Sequence, residues 1–219
     1  MTVAFDATFG SAALINTATT TTWTHTPVGT PKGVVVLIPQ GTATDNVTAV
    51  TYGGVALNRV RFAARGSAEA CAVYIYFLGA GIPTGAQTVA VTTAGTPPCW
   101  PQSVTMTATG AKTAIEREDG ADAGIVANPQ FTIVPVPAGT CACYVNASGL
   151  NTPVDTPQAG TTRCSFRDLG TISGHTGRKD LASAGSTTIG WTSAIDDVAH
   201  AVIVVSEYDP ARLVMGRYG

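Results

Sequence analysis

Three histidines, His25, His175 and His200, five cysteines, and a scatter of carboxylates at Asp45, Asp119, Asp122, Asp155, Asp168, Asp196 and Asp197 are the side chains that could do chemistry in this chain. A hydrolase would need a nucleophile, a base and a group that orients the base, brought to one place. His25 stands in a threonine-rich stretch beside Trp23, and His200 opens an apolar run, so both read as packed core residues. His175 lies in Gly174-His175-Thr176-Gly177 and reads as a loop residue. Neither a G-x-S-x-G elbow nor an H-E-x-x-H helix motif occurs. A glycosidase would need two carboxylates across the scissile bond, whereas the aspartates here read as turn residues. Asp196-Asp197 offers only the start of a Ca²⁺ shell, which takes six to eight oxygens. The expectation is a non-enzyme with no catalytic residue, no cofactor and no metal.

The cysteines are Cys71, Cys99, Cys141, Cys143 and Cys164. Cys141-Ala142-Cys143 is expected to turn its thiols to opposite faces of a strand, where they could not share a tetrahedral ion. The five read as small buried hydrophobes, with disulfides as the alternative. An odd count would leave one thiol over for a bridge between subunits. Of the tryptophans, Trp191 reads as core. Trp100, between Cys99 and Pro101, is the candidate for an exposed plane on which a sugar ring could stack. The sequons Asn46-Val47-Thr48 and Asn146-Ala147-Ser148 matter only if the chain is secreted.

The elements that must position these side chains are strands. Period-two alternation recurs from Val3-Ala4-Phe5-Asp6-Ala7-Thr8-Phe9 onward, and no long helical periodicity interrupts it. Trp23 and His25 share one face of a Thr-rich strand. Gly33 to Ile38 is a continuous aliphatic run, the pattern of a central strand covered on both sides. Gly53-Gly54 between Val47–Tyr52 and Val55–Val60 predicts a hairpin, since two-residue turns need positive φ. Cys71 to Leu78 is the most strongly β segment. Further strands are expected at Ala86 to Thr92, Ser103 to Thr109, Phe131 to Val134, Cys141 to Ala147, Cys164 to Ile172, Ser186 to Thr192 and Val198 to Glu207. Lys112 to Asp122, dense in charge, reads as an exposed loop or one helical turn. Asn151 to Gly160 reads as loop, Ser173 to Ser186 as a polar Gly-rich stretch, and Asp196-Asp197 as a turn. About a dozen short strands with regular turn signals spell an all-β antiparallel sandwich. With no linker and no fixed-period repeat visible, a single domain over residues 1–219 is expected, ending in an extended tail over residues 210–219.

Composition narrows the partners. Charged residues are 12% of the chain, about half the usual share, and the net charge is −2 with no basic run longer than Arg178-Lys179. Nucleic acid is therefore not expected as a partner. No apolar run approaches a membrane span. The start, Met-Thr-Val-Ala-Phe-Asp, lacks the basic and apolar regions of a signal peptide, so none is expected.

Three segments in order, Thr20-Thr21-Thr22-Trp23-Thr24-His25-Thr26, Gly33-Val34-Val35-Val36-Leu37-Ile38, and Val50-Thr51-Tyr52-Gly53-Gly54-Val55-Ala56-Leu57 followed by Tyr74-Ile75-Tyr76-Phe77-Leu78, resemble jelly-roll-like domains of tailed-phage virion proteins and of some bacterial surface proteins. The resemblance covers mainly the first hundred residues and, more loosely, Ala199 to Ser206. It implies a jelly-roll-like sandwich and a structural protein of the virion, assembled in the host cytoplasm. The expected role is a capsid decoration or cement protein, a trimer or dimer seated on the major capsid protein, or otherwise a tail component. Asn151 to Ser186 and the termini are the candidate contact segments. The rival reading is a carbohydrate-binding module using Trp100.

Overall fold

A computed structural model describes residues 2–10, 19–66, 70–126, 128–149, 156–168, 172–192 and 196–208. The tail over residues 209–219 and residues 150–155 lie outside them. The described residues form strands and no helix, so none is long and apolar enough to cross a membrane as a helix. The first half of the chain contributes β1 (Val3–Gly10), β2 (Thr20–His25), β3 (Gly33–Gln40), β4 (Val47–Tyr52), β5 (Val55–Ala56), β6 (Asn58–Arg65), β7 (Cys71–Leu78), β8 (Gln87–Thr93) and β9 (Gln102–Ala108). The second contributes β10 (Thr113–Val126), β11 (Gln130–Val136), β12 (Thr140–Ser148), β13 (Thr156–Pro157), β14 (Thr162–Asp168), β15 (Ser173–Leu181), β16 (Gly185–Thr192) and β17 (Asp196–Glu207).

Pairing is antiparallel throughout and sorts the strands into four sheets, ordered β1-β9-β3-β7-β6, β2-β8-β4-β5, β10-β17-β12-β15-β14 and β11-β16-β13. The second half repeats the first. Substituting β10 for β1, β11 for β2, β12 for β3, β13 for β4, and β14 to β17 for β6 to β9 reproduces both sheet orders, with β5 alone lacking a counterpart. The repeat escapes the sequence because it is one of topology, carried by different residues.

Three buried clusters fix the order of the layers. Val34, Val36 and Ile38 of β3 and Tyr74 of β7 pack with Val50, Tyr52, Val89 and Val91, joining the first half's two sheets. The opposite side of the same strands, Val35, Leu37, Val73 and Ile75, packs with Cys143, Val145, Ala201 and Ile203, joining the halves. Ala142, Tyr144, Val202 and Val204 then pack with Ile133, Ile189 and Trp191. The two five-stranded sheets thus lie in the middle of a four-layer stack, and β3 and β12, buried along their whole lengths, run through its centre. Val3 N donates to Gly139 O just before β12, and Thr113 Oγ1 donates to Lys32 O just before β3, both at 2.8 Å. The repeat is one of strand order and not of docking: β10 and β17 lie against β6 and β7, whereas the corresponding strands β1 and β9 make no comparable contact with β14 and β15.

Most expected strands occur. The Gly53-Gly54 turn has φ of 56° and 79°, as the hairpin requires. Three expectations are corrected. Lys112 to Asp122 is neither loop nor helical turn but most of β10, an edge strand on which charge is tolerated and protects against stray pairing. Ser173 to Ser186 holds β15, whose first five residues are buried. Its glycines permit close approach rather than looping: a Cβ on Gly174 would lie 2.6 Å from Trp100 Cζ2 and 2.8 Å from Pro39 Cβ. Asp196-Asp197 opens β17, paired with Val126 and Ile125.

Candidate functional site

The densest polar constellation is built on β2. Trp23 and His25, two apart on one strand, both point inward onto β9. His25 Nδ1 lies 2.7 Å from Ser103 Oγ, and its Nε2 lies 3.0 Å from Thr105 Oγ1. Ser103 donates to Phe9 O at 2.9 Å and accepts from Trp23 Nε1 at 3.0 Å. Thr105 Oγ1 lies 2.9 Å from Asp6 Oδ2 and shares its single proton between that carboxylate and His25 Nε2, and Asp6 Oδ1 accepts from Gly29 N at 2.7 Å. Serine, histidine and aspartate in one chain of contacts suggest a catalytic relay, but the geometry does other work. His25, Ser103 and Thr105 have no exposed surface. The imidazole is walled by Phe9 and Tyr52 at ring distances of 5.0 and 5.8 Å. Ser103 Oγ already donates to a main-chain carbonyl and faces no cleft. Burial lowers the His25 pKa to about 4, against the opposing pull of Asp6, so the ring is neutral at neutral pH. The network pins β1 and β2 to β9.

His200 is packed in the same manner in the second half. Its ring stacks on Phe131 at 4.1 Å, and Nδ1 lies 3.2 Å from Tyr144 Oη, which itself donates to Pro129 O at 2.8 Å. Burial lowers its pKa to about 4, with Asp119 opposing. His175 is not a loop residue. It is fully buried on β15, stacked on Phe166 at 4.4 Å and tilted against Trp191 at 5.0 Å. His200 and His175 flank Asn146 in register on neighbouring strands. Asn146, the first residue of a sequon, is 1% exposed, and its Oδ1 accepts from Trp191 Nε1 at 3.1 Å.

The aspartates are dispersed. Asp45 holds Arg59 with both oxygens, at 2.8 and 2.7 Å, and Asp197 pairs with Arg65 at 3.0 Å. Asp119 accepts from Gly120 N at 2.7 Å. Asp168 lies on β14. The structure describes the backbone of Asp122 and Asp196 and places Asp155 outside the described residues. Among the described residues no group of three His, Cys, Asp or Glu side chains is placed to hold a metal ion.

All five cysteines are free thiols, none at bonding distance from another. Cys71, Cys141 and Cys143 line the central core, Cys99 the first half's outer core. The expectation for the C-x-C pair is corrected, since residues two apart on a strand share a face and both thiols enter the same cluster. The Cys141 hydrogen bond and burial hold the Cys143 thiol well above the usual range. Burial pushes Cys99 to about 12 and Cys164 to about 11, a hydrogen bond from Thr8 opposing in Cys164. Such thiols carry almost no thiolate and make poor nucleophiles. Cys164 alone is only half-buried.

Trp100 is likewise corrected. It is 4% exposed and packs closely over Gly174 of the opposite half beside Pro39, rather than being offered to a ligand. Trp191 is core, as expected. The environment of Trp100 was not legible, because the β15 glycine it packs on comes from the opposite half. A groove of about 360 Å³ runs between β4 and β6 over Val47, Val50, Leu57 and Tyr76. Its polar groups are engaged internally, Arg59 by Asp45 and Tyr76 Oη by Val47 O at 3.2 Å.

What the chain presents outward is a division of charge that composition alone does not convey. Within strands, every charged residue lies on β1, β6, β10, β14, β15 or β17, the strands of the two central sheets. The strands of both outer sheets, β2, β4, β5, β8, β11, β13 and β16, carry none. A charged waist therefore separates two uncharged ends. No family model matches this chain, and neither the curated proteins nor the solved structures yield a match.

Proposed function

We propose that this chain is a non-enzymatic structural protein of a virion, a capsid decoration or cement protein that bridges capsid subunits, built from two tandem jelly-roll sandwiches. The observation that carries the reading is the duplicated strand order around one shared core. It makes a rigid block of four layers spaced by about 10 Å each, a shape suited to spanning a junction between subunits. Histidines and thiols that could serve catalysis are instead engaged in packing. The resemblance of the Thr20–Thr26, Gly33–Ile38 and Val50–Leu57 segments to phage virion domains supports the same role. Many weak contacts repeated over a shell would act together, with a dimer or trimer repeating one contact under closed symmetry. Cys164, on the edge strand β14 and the least buried of the five, is the thiol we assign to a bridge between subunits, formed once its side chain leaves the central core it packs against.

Co-sedimentation tests the role directly. The purified chain is expected to pellet with particles lacking it and to raise the temperature at which they release their genome. A chain that stays in the supernatant at every concentration, or that turns over a substrate, ends the reading. Non-reducing electrophoresis of the assembled particle tests the bridge, a Cys164→Ser chain running as the monomer where the parent does not. The carbohydrate-binding alternative has lost its named platform with the burial of Trp100.

A further inference from the structure

We infer that the end of the first half at which the chain leaves β17 is a docking groove for the chain's own C-terminal segment, residues 209–219, which folds back onto it within the same molecule. Three loops converge there, β2–β3, β7–β8 and β9–β10, and enclose about 210 Å³ between Pro31, Lys32, Ala80, Ile82, Thr84 and Ala111. The floor is apolar. Pro31 is buried, and Ile82 packs against the outer core of the first half. Ala80 and Ala111 form an exposed rim.

Three observations select this segment as the occupant. The first is where the described chain stops. Glu207 pairs with Thr113, Tyr208 N donates to Lys112 O at 3.1 Å, and Lys112 Nζ lies 3.6 Å over the Tyr208 ring. One further residue in this register sets Asp209 opposite Ala111, on the rim of the groove. Pro210 has no N–H with which to prolong the ladder, so the pairing with β10 ends there. The second is composition. Leu213-Val214-Met215 begins three residues beyond Pro210, within about 10 Å of extended chain, and offers aliphatic side chains to an aliphatic floor. Lys32 on the groove wall and Lys112 beside it match the charge of Asp209. The third is tethering. With only Ala211 and Arg212 between Pro210 and Leu213, the effective concentration of the apolar run at the groove is in the millimolar range. A contact too small to hold a separate molecule is therefore populated within one chain. Docking of this segment neither requires nor implies the virion role.

The segment carries its own probe, since trypsin cuts after Arg212 only when the chain around Leu213 is free to enter the protease. Cleavage after Arg212 in the whole chain, followed by intact mass, is expected to run about tenfold slower than in a free peptide of residues 208–219, because proteolysis tracks the population of the open form. Ala111→Glu and, separately, Ala80→Asp place a charge at exposed rim positions without touching the core, and each is expected to bring the rate in the whole chain up to that of the peptide. Leu213→Ser is expected to do the same from the side of the segment, measured against its own peptide. Thr162→Asp, exposed on β14 in the other half, is expected to leave the protection intact. Dilution of the parent is expected to leave it intact as well. A parent cut as fast as the free peptide overturns the inference. So does protection that dilution removes, which would give the groove to a neighbouring copy's segment, and protection that survives both rim variants, which would seat the segment elsewhere.

Discussion

His25 and His200 illustrate how a titratable side chain can be structural and still leave a measurable signature. Each has a folded pKa of about 4 against an ordinary 6.5, so the unfolded chain binds protons more readily than the folded one. Stability contributed by the neutral rings is complete above pH 6.5 and declines as pH falls from there toward 4. At pH 5 the loss is about 2 kcal/mol per histidine, read as a fall in the urea midpoint between pH 7 and pH 5. His25→Gln is expected to lower stability at pH 7 by about 1–3 kcal/mol, because Ser103 and Thr105 lose a matched partner, and to flatten the acid limb. An unchanged limb in that variant would assign the titration elsewhere. Trp100 makes the same point for packing: Trp100→Ala is expected to cost about 3–5 kcal/mol, and Gly174→Ala about 1–3 kcal/mol by forcing the indole away, both read by chemical denaturation. The sequence shows residue types but not the opposite strand. Trp191 among alternating apolar residues was recognisable as core, whereas Trp100 between a cysteine and a proline and His175 between glycines carried local loop signals that a distant layer overrides.

Strands whose pattern is dictated by their own burial were readable. β3 and β7 are covered on both sides and are aliphatic or aromatic almost throughout, and the β4–β5 hairpin announces itself in two glycines of positive φ. β10 was not readable, because an edge strand facing water needs no apolar alternation, and its Glu116-Arg117-Glu118-Asp119 run has the composition of a loop. Its docking to the first half is specific. Arg61 of β6 reaches Glu118 at 3.3 Å and donates to Gly120 O at 2.6 Å. Arg61→Ala is expected to cost about 1 kcal/mol, since the ion pair is partly solvated and the carbonyl bond supplies most of the effect. Hydrogen exchange in β10 should rise in this variant, and unchanged protection there would show that the strand is held by its pairing with β17 alone.

At the scale of the molecule, the all-β antiparallel character was legible and the doubling was not. The two copies place different residues on corresponding strands: Val34, Val36 and Ile38 turn outward from β3, whereas Ala142, Tyr144, Asn146 and Ser148 do so from β12. Since the largest apolar cluster belongs to both halves, neither can lose its central sheet without exposing the other's. Unfolding is therefore expected as one transition, with far-ultraviolet ellipticity and tryptophan fluorescence coincident along a urea gradient. Two separated midpoints would show that each half has a sufficient core of its own.

The duplicated strand order has a further consequence. In a pair of separate identical chains every substitution is made twice and meets its own image, so a polar residue that suits one position must be tolerated at the mirror position as well. Covalent joining removes that constraint. Here the first half buries an imidazole between a serine and a threonine, while the second has been free to install an asparagine flanked by two imidazoles at different strands without disturbing its twin.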